Sequence, residues 1–263
     1  FFYMSSFPIG FFDSGIGGIS LWKAIKKILP NENSIYLSDS KNCPYGLKSK
    51  DKLDEICIKN TEFLIDKGCK MIIVACNTAT TNSISILRNK YKIPFIGIEP
   101  AIKPAALRSK TKKIGILATK GTLTSDLFSQ TSSDYISDIN IITKDGEGLV
   151  KLIENGNFSG NEIETLLNKY LDPMINYGID QLVLGCTHYP LVKKAIKKII
   201  NDSISIVDCN AAVAIQTKKV LNENEILNDN VKNDPSHTFY NSGNNNFIIK
   251  KLLDNKYEIN NFE

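Results

Sequence analysis

Apolar and polar positions alternate along this chain with two different periods. Short β-branched apolar runs read as buried strands. Between them lie longer segments whose apolar residues recur every three or four positions, the pattern of an amphipathic helix. "IGFFDSG" predicts a strand running into a glycine turn, and "ISLWKAIKKILP" a helix stopped by Pro30. "SIYLSDS" predicts a strand, "KDKLDEICIKNTEFLIDKG" a helix ending at Gly68, and "KMIIVACNT" a strand. "ATTNSISILRNKY" then reads as a helix and "IPFIGIEP" as a strand. Strands and helices in regular alternation predict a parallel sheet with helices on its faces.

The pattern then restarts. "KKIGILATKGT" at 112–122 repeats the plan of "FPIGFFDSGIGG" at 7–18, and "DQLVLGCTHYP" at 180–190 repeats that of "CKMIIVACNTA" at 69–79. The expected architecture is α/β, with two similar lobes, each a mostly parallel sheet flanked by helices, and an active site in the cleft between them. Residues 1–103 are expected to form the first lobe, completed by 211–263, and residues 104–210 the second. The prolines of "EPAIKPAA" mark the boundary. The segment after Asn210 is rich in asparagine, yet "AAVAIQTKKVL", "HTFYNS" and "NFIIKKLL" still read as helix, strand and helix.

Composition narrows the field. With 263 residues, 42% hydrophobic and 23% charged, the chain can bury a sizeable core. The net charge of +4 comes from dispersed lysines, with no block of like charge, so no nucleic-acid partner is expected. No apolar run approaches the ~18 residues of a membrane span, so no membrane partner is expected either. The opening "FFYMSSFPIGFF" lacks the basic region and cleavage site of a secretory signal, and the chain reads as cytoplasmic.

Six cysteines, Cys43, Cys57, Cys69, Cys76, Cys186 and Cys209, contain no CxxC pair, and there are only two histidines. Neither a structural metal site nor a disulfide framework is expected. A single cysteine is most often a small buried hydrophobe. Cys76 and Cys186 are placed differently, because each stands where an apolar strand gives way to a helix, one in each lobe. Ligands bind at the carboxyl ends of parallel strands. A helix N-terminus there offers free N–H groups and partial positive charge, a setting that favours thiolate. Polar residues follow each cysteine, Asn77 and Thr78 in one case, Thr187 and His188 in the other. A matched pair of this kind points to chemistry.

"DSGIGG", Asp13 to Gly18, is not GxGxxG, because Ser20 stands where the third glycine belongs, and it is not a Walker A motif. It reads either as a tight turn whose glycines take positive φ or as a strand end from which Asp13 and Ser14 reach the cleft.

In order along the chain, "FDSGIGG", "CPYG", "ACNTAT", "GIEPAIKPA" and "GCTHYP", with a late "HTFYNSG", resemble the glutamate racemases. These are a branch of the two-lobed, cofactor-independent amino-acid racemases that also include aspartate racemases. The resemblance implies that Cys76 and Cys186 are catalytic thiols, assisted by Asp13 and His188. It implies substrate contacts from Asp13, Ser14, Tyr45, Gly46, Asn77, Thr78, Thr187 and His188. Thr119 and Thr122 match threonines lining the second lobe, and Glu154 matches an acidic residue near the second thiol. Many members carry Cys-Pro shortly before that glutamate, where this chain has "DGEGLVKLIE". The implied activity is interconversion of L- and D-glutamate without cofactor or metal, supplying D-glutamate for peptidoglycan, in a homodimer. Taking the Cα proton from one face and returning one on the other suits two bases, one from each lobe. No lysine lies in a recognisable Schiff-base motif, so nothing calls for pyridoxal phosphate. Two other readings stand beside this one: a racemase of aspartate or another acidic amino acid, and a non-catalytic ligand-binding or regulatory protein on the same scaffold. Cys43, Cys57, Cys69 and Cys209 are not expected to be required.

Overall fold

The computed structural model describes residues 5–133, 138–230 and 234–263; the start of the opening segment, residues 1–4, lies outside them. Strands β1 (Ile9–Asp13), β2 (Ser34–Ser38), β3 (Met71–Val74) and β4 (Phe95–Gly97) alternate with helices α1 (Ile19–Ile28), α2 (Lys50–Asp66) and α3 (Asn77–Lys90). Helix α4 (Ile102–Arg108) leads into β5 (Lys113–Ala118), followed by α5 (Lys120–Leu123), α6 (Asp126–Ser133) and β6 (Asn140–Asp145). Next come α7 (Leu149–Glu154), α8 (Asn161–Tyr177), β7 (Gln181–Gly185), α9 (Lys193–Ile199) and β8 (Ser205–Val207). The chain closes with α10 (Asn210–Glu223), β9 (His237–Asn241), α11 (Asn246–Leu252) and β10 (Ile259–Asn261).

Two parallel sheets result, ordered β10-β9-β2-β1-β3-β4 and β6-β5-β7-β8. Their cores share one plan. The order β2-β1-β3-β4 in the first is matched by β6-β5-β7-β8 in the second, with Ile9 opposite Met71 and Ile114 opposite Gln181. The short motif repeats seen along the chain are thus the trace of a repeated topology. Strands β1, β3 and β7 are buried along their whole length, which is why they read as unbroken apolar runs.

The last segment returns to the first sheet. Strand β9 pairs with β2, placing His237 opposite Ser34, and α10 packs on α1. Trp22 of α1 meets Phe239 and Tyr257 edge to face, so aromatic packing seals the added strands. A buried Lys70–Glu32 ion pair at 2.5 Å adds a polar tie, because the other Glu32 oxygen accepts the Asn228 N–H at 2.8 Å. Helix α4 packs against β7, so the crossing between sheets falls just after β4.

Candidate active site

A tight cavity of about 10 Å³, room for little more than one water, lies between the two sheets, and its walls come from the carboxyl ends of their central strands. Ser14 follows β1, Cys76, Asn77 and Thr78 follow β3, Thr119 follows β5, and Cys186, Thr187 and His188 follow β7. The turn after β2 contributes Tyr45 and Gly46, with Pro44 beside them. Val150, one helical turn before Glu154 on α7, closes the wall. Both thiols therefore face one space. Asp13, Thr122 and Glu154 stand behind the wall and act on it through other groups.

The glycines of "DSGIGG" explain part of this. None of Gly15, Gly17 and Gly18 has a positive φ, contrary to the tight-turn expectation. Close approach is what requires them. A Cβ on Gly15 would run into the Glu154 carboxylate, one on Gly17 would lie 2.6 Å from His188 Nδ1, and one on Gly18 would lie 2.7 Å from the Tyr36 hydroxyl. The loop is a bare strip of backbone on which the assisting groups of both lobes rest.

Asp13 is fully buried. Its Oδ2 accepts the N–H groups of Gly18 at 2.9 Å and Gly15 at 3.3 Å, and its Oδ1 accepts the Thr187 hydroxyl at 3.2 Å. The carboxylate thus stitches the first sheet to the loop that carries Cys186. Burial pushes its pKa up to about 6 against the pull of His188. The folded chain therefore holds this proton more tightly than the unfolded chain does, so stability falls as pH rises from about 4 through about 6. The whole effect, about 3 kcal/mol from a shift of roughly two units, is felt above that window. Asp13→Asn can keep the N–H contacts through its oxygen and meet Thr187 through its amide. It is expected to melt at higher temperature than the parent at pH 8 and at the same temperature near pH 3.5. Equal melting points at both pH values would refute this.

Cys76 caps α3 with extended backbone angles; its sulfur makes no cap hydrogen bond, feels the nearby Ala79 N–H, and lies 3.9 Å from the Ser14 hydroxyl. The helix start was expected to favour thiolate here. Instead burial, reinforced by the Asp13 charge, pushes this thiol well above its ordinary range and outweighs the one N–H. Cys76 rests protonated.

The surroundings of Cys186 are different. No α-helix begins directly after it; a 3-10 turn over Tyr189–Val192 intervenes before α9. His188 Nδ1 lies 3.8 Å from Cys186 Sγ, and Nε2 lies 2.5 Å from Glu154 Oε1. Burial alone would pull this imidazole down. Hydrogen bonds with Cys186, Cys43 and Glu154, and the Glu154 charge, hold it well above its usual value. It stands as imidazolium, with Nε2–H donating to Glu154 and Nδ1–H directed at sulfur. Glu154 is itself fixed by the Ile16 N–H at 2.8 Å and the Asn245 amide at 2.6 Å.

Two hydroxyls, backed by a third, close the opposite wall. Thr78 lies 2.8 Å from Thr119 and 3.2 Å from Thr122, which are 3.1 Å apart, so a triangle of donors joins the lobes. Gly46 is packed against Thr119 so closely that a Cβ would lie 2.8 Å away. The Tyr45 hydroxyl turns away from the cavity and donates to Asp39 at 2.7 Å, so the residue presents its ring and backbone. Asn77 gives its amide to Ile98 C=O at 3.2 Å, and its buried Oδ1 has no partner among the described residues.

Residues 18–217 match the family model for Asp/Glu/Hydantoin racemase. The chain belongs to this racemase family. It is 42% identical over 224 residues to a glutamate racemase of Ectopseudomonas mendocina, covering 85% of each chain. It is 41% identical over 254 residues to a glutamate racemase of Clostridium novyi, covering 95% of this chain and 98% of that one. The crystal structure of glutamate racemase isoform RacE1 from Bacillus anthracis superposes with a TM-score of 0.89, at 29% identity and 98% coverage of both chains. As a member of the family the chain is an isomerase, and its two-sheet plan is that of these relatives. Among the described residues no helix is long and apolar enough to cross a membrane.

Sequence reasoning singles out neither Val150 nor Asn245, whereas Cys43 adjoins Pro44, Tyr45 and Gly46 at the site, as its position in the chain implies. The spacing of Val150 from Glu154 on one helix was a usable signal. Asn245 carried none, because it reaches Glu154 from 91 residues away.

Proposed function

We propose that this chain interconverts L- and D-glutamate by carrying the Cα proton between Cys76 and Cys186. One observation carries the proposal: two thiols from equivalent strand ends of two repeated sheets meet on one cavity. One thiolate takes the Cα proton, and the electron pair left behind spreads into the α-carboxylate as an enediolate. The other thiol then gives a proton to the opposite face of Cα. Because one lobe rests with a protonated thiol and the other with an imidazolium beside its thiol, the two are already unequal.

Substrate recognition follows from what lines the cavity. The α-ammonium has three N–H donors, and Asn77 Oδ1 is an acceptor in want of one. The hydroxyls of Thr78 and Thr119 face a carboxylate well. Backbone N–H groups at the start of α3 can stabilise the enediolate as it forms. No step requires a cofactor or a metal. The proposal includes a cytoplasmic homodimer that supplies D-glutamate for peptidoglycan.

The test is incubation of purified protein with L-glutamate and no added cofactor, followed by polarimetry. Optical rotation is expected to decay to zero. Persistent rotation would leave a ligand-binding role on the same scaffold. In competition, aspartate is expected to be turned over about 10–200-fold less efficiently, the effect of one missing methylene. Equal specificity constants would make the chain a general acidic-amino-acid racemase.

A further inference from the structure

Cys43 is not expected to be required, and it packs against the edge of the core rather than inside it. It is half-buried in the turn after β2. Its sulfur, a carboxylate oxygen of Glu154 and a ring nitrogen of His188 all lie within 4.8 Å of one another. The thiol is within hydrogen-bond reach of the imidazole. These groups come from three separate places, a turn, the end of α7 and the loop after β7. Among the described residues this is the one such cluster of three metal-ligating side chains.

We propose that Cys43, Glu154 and His188 form a binding site for a thiophilic divalent cation, best matched by Zn²⁺, whose occupancy switches off the neighbouring acid–base pair. A sulfur, a nitrogen and a carboxylate oxygen suit zinc, whereas magnesium and calcium want oxygen alone. Three protein ligands leave the fourth tetrahedral position to water. Zinc–ligand bonds of 2.0–2.3 Å set ligand atoms roughly 3.3–3.8 Å apart, so the His188–Glu154 contact of 2.5 Å must open by under an ångström to admit the ion while the sulfur stays within reach. Coordination sends the thiol and imidazolium protons to solvent.

A path for the ion exists. Cys43 and Glu154 also line an open pocket on the outer side of the site, with Ser40, Lys151, Asn245 and Phe247. A cation can therefore enter without crossing the substrate cavity. Lys151 at that mouth opposes it, and the thiolate–carboxylate pair outweighs one exposed ammonium. Once bound, the ion takes the place of the proton that His188 Nε2 shares with Glu154, so the imidazole beside Cys186 loses its second proton and its carboxylate partner. Loss of activity is the consequence, and that part rests on the racemase reading; the site itself does not.

Binding and activity are therefore measured separately on the full chain. Calorimetry with ZnCl₂ is expected to show one site per chain. Losing an outer partner of a metal ligand weakens binding about 10–100-fold, so Cys43→Ser, which loses a direct ligand, is expected to weaken zinc at least tenfold. Glu154→Gln, which keeps the side-chain size, is expected to weaken it in the same direction, and Cys57→Ser to leave it unchanged. Racemisation by the parent is expected to fall with zinc and return with EDTA, and Cys43→Ser to need at least tenfold more zinc for the same loss. Unchanged zinc affinity in both Cys43→Ser and Glu154→Gln overturns the site. A zinc site with these properties in a chain that does not racemise glutamate would keep the site and remove the racemase reading.

Discussion

Serine at Cys76 or at Cys186 is expected to cut racemisation by about 10²–10⁴-fold, the range that a positioned acid or base contributes, and to leave the chain folded. Serine is nearly the same size, and at Cys76 it can still meet Ser14. What it loses is a proton acceptor matched to ambient pH. The stronger expectation concerns deuterium. A chain with one working thiol can remove the Cα proton of one enantiomer and return a deuteron to the same face. Each variant should then wash solvent deuterium into one enantiomer without racemising it, and the two variants should choose oppositely. On the proposed mechanism, and as the resemblance to the glutamate racemases implies, Cys76 takes the proton of D-glutamate and Cys186 that of L-glutamate. Cys186→Ser should therefore exchange D-glutamate, and Cys76→Ser should exchange L-glutamate, read by mass spectrometry in D₂O. If both variants exchange the same enantiomer, the two-thiol mechanism fails. Alanine at Cys57, Cys69 or Cys209 should keep turnover and cost stability only. All three are buried, and burial pushes their thiols up to about 12, so they stay protonated.

The central strands were legible because burial on both faces writes a continuous apolar run, as in "MIIV" and "QLVLG". Strand β6, "NIITKD", was not, since it lies at a sheet edge and nothing along it is fully buried. Strands β8 and β10 are only three residues each, too short for a period to register. Pro173 inside α8 breaks the look of a helix without ending it. The thiols could be found because a repeat marked them twice. The purpose of Gly15 could not be found, because its reason is a carboxylate 139 positions further along the chain, at Glu154. The meeting of Cys43 with Glu154 and His188 was hidden for the same reason. These partners lie on α7 and after β7, and only the folded chain brings them together.

Asp13→Asn and His188→Asn are expected to slow racemisation on the order of 10²-fold each, through different thiols. The bulk rates cannot show this. Enantiomers have equal free energy in achiral solvent, so the equilibrium constant is unity. Then kcat/KM must be the same from either side, whatever is mutated. Isotope effects escape that constraint, because they report which proton transfer limits the rate. His188 lies 3.8 Å from Cys186 and takes its charge from Glu154, so its loss should slow transfer at Cys186. The primary isotope effect with Cα-deuterated L-glutamate should rise most in His188→Asn. Asp13 bears on Cys76 by charge, raising that thiol's pKa and with it the strength of the base it becomes. The effect with Cα-deuterated D-glutamate should rise most in Asp13→Asn. Asp13 also holds Thr187, next to the second thiol, so this variant should move the L-glutamate effect to a lesser degree. His188 has no matching bond to the Cys76 loop among the described residues, so its selectivity should be the sharper of the two. Equal factors in both variants from both enantiomers would show that Asp13 and His188 act as one coupled unit across the cleft. The two thiols would keep their roles, and the separate assignment of their assistants would be lost.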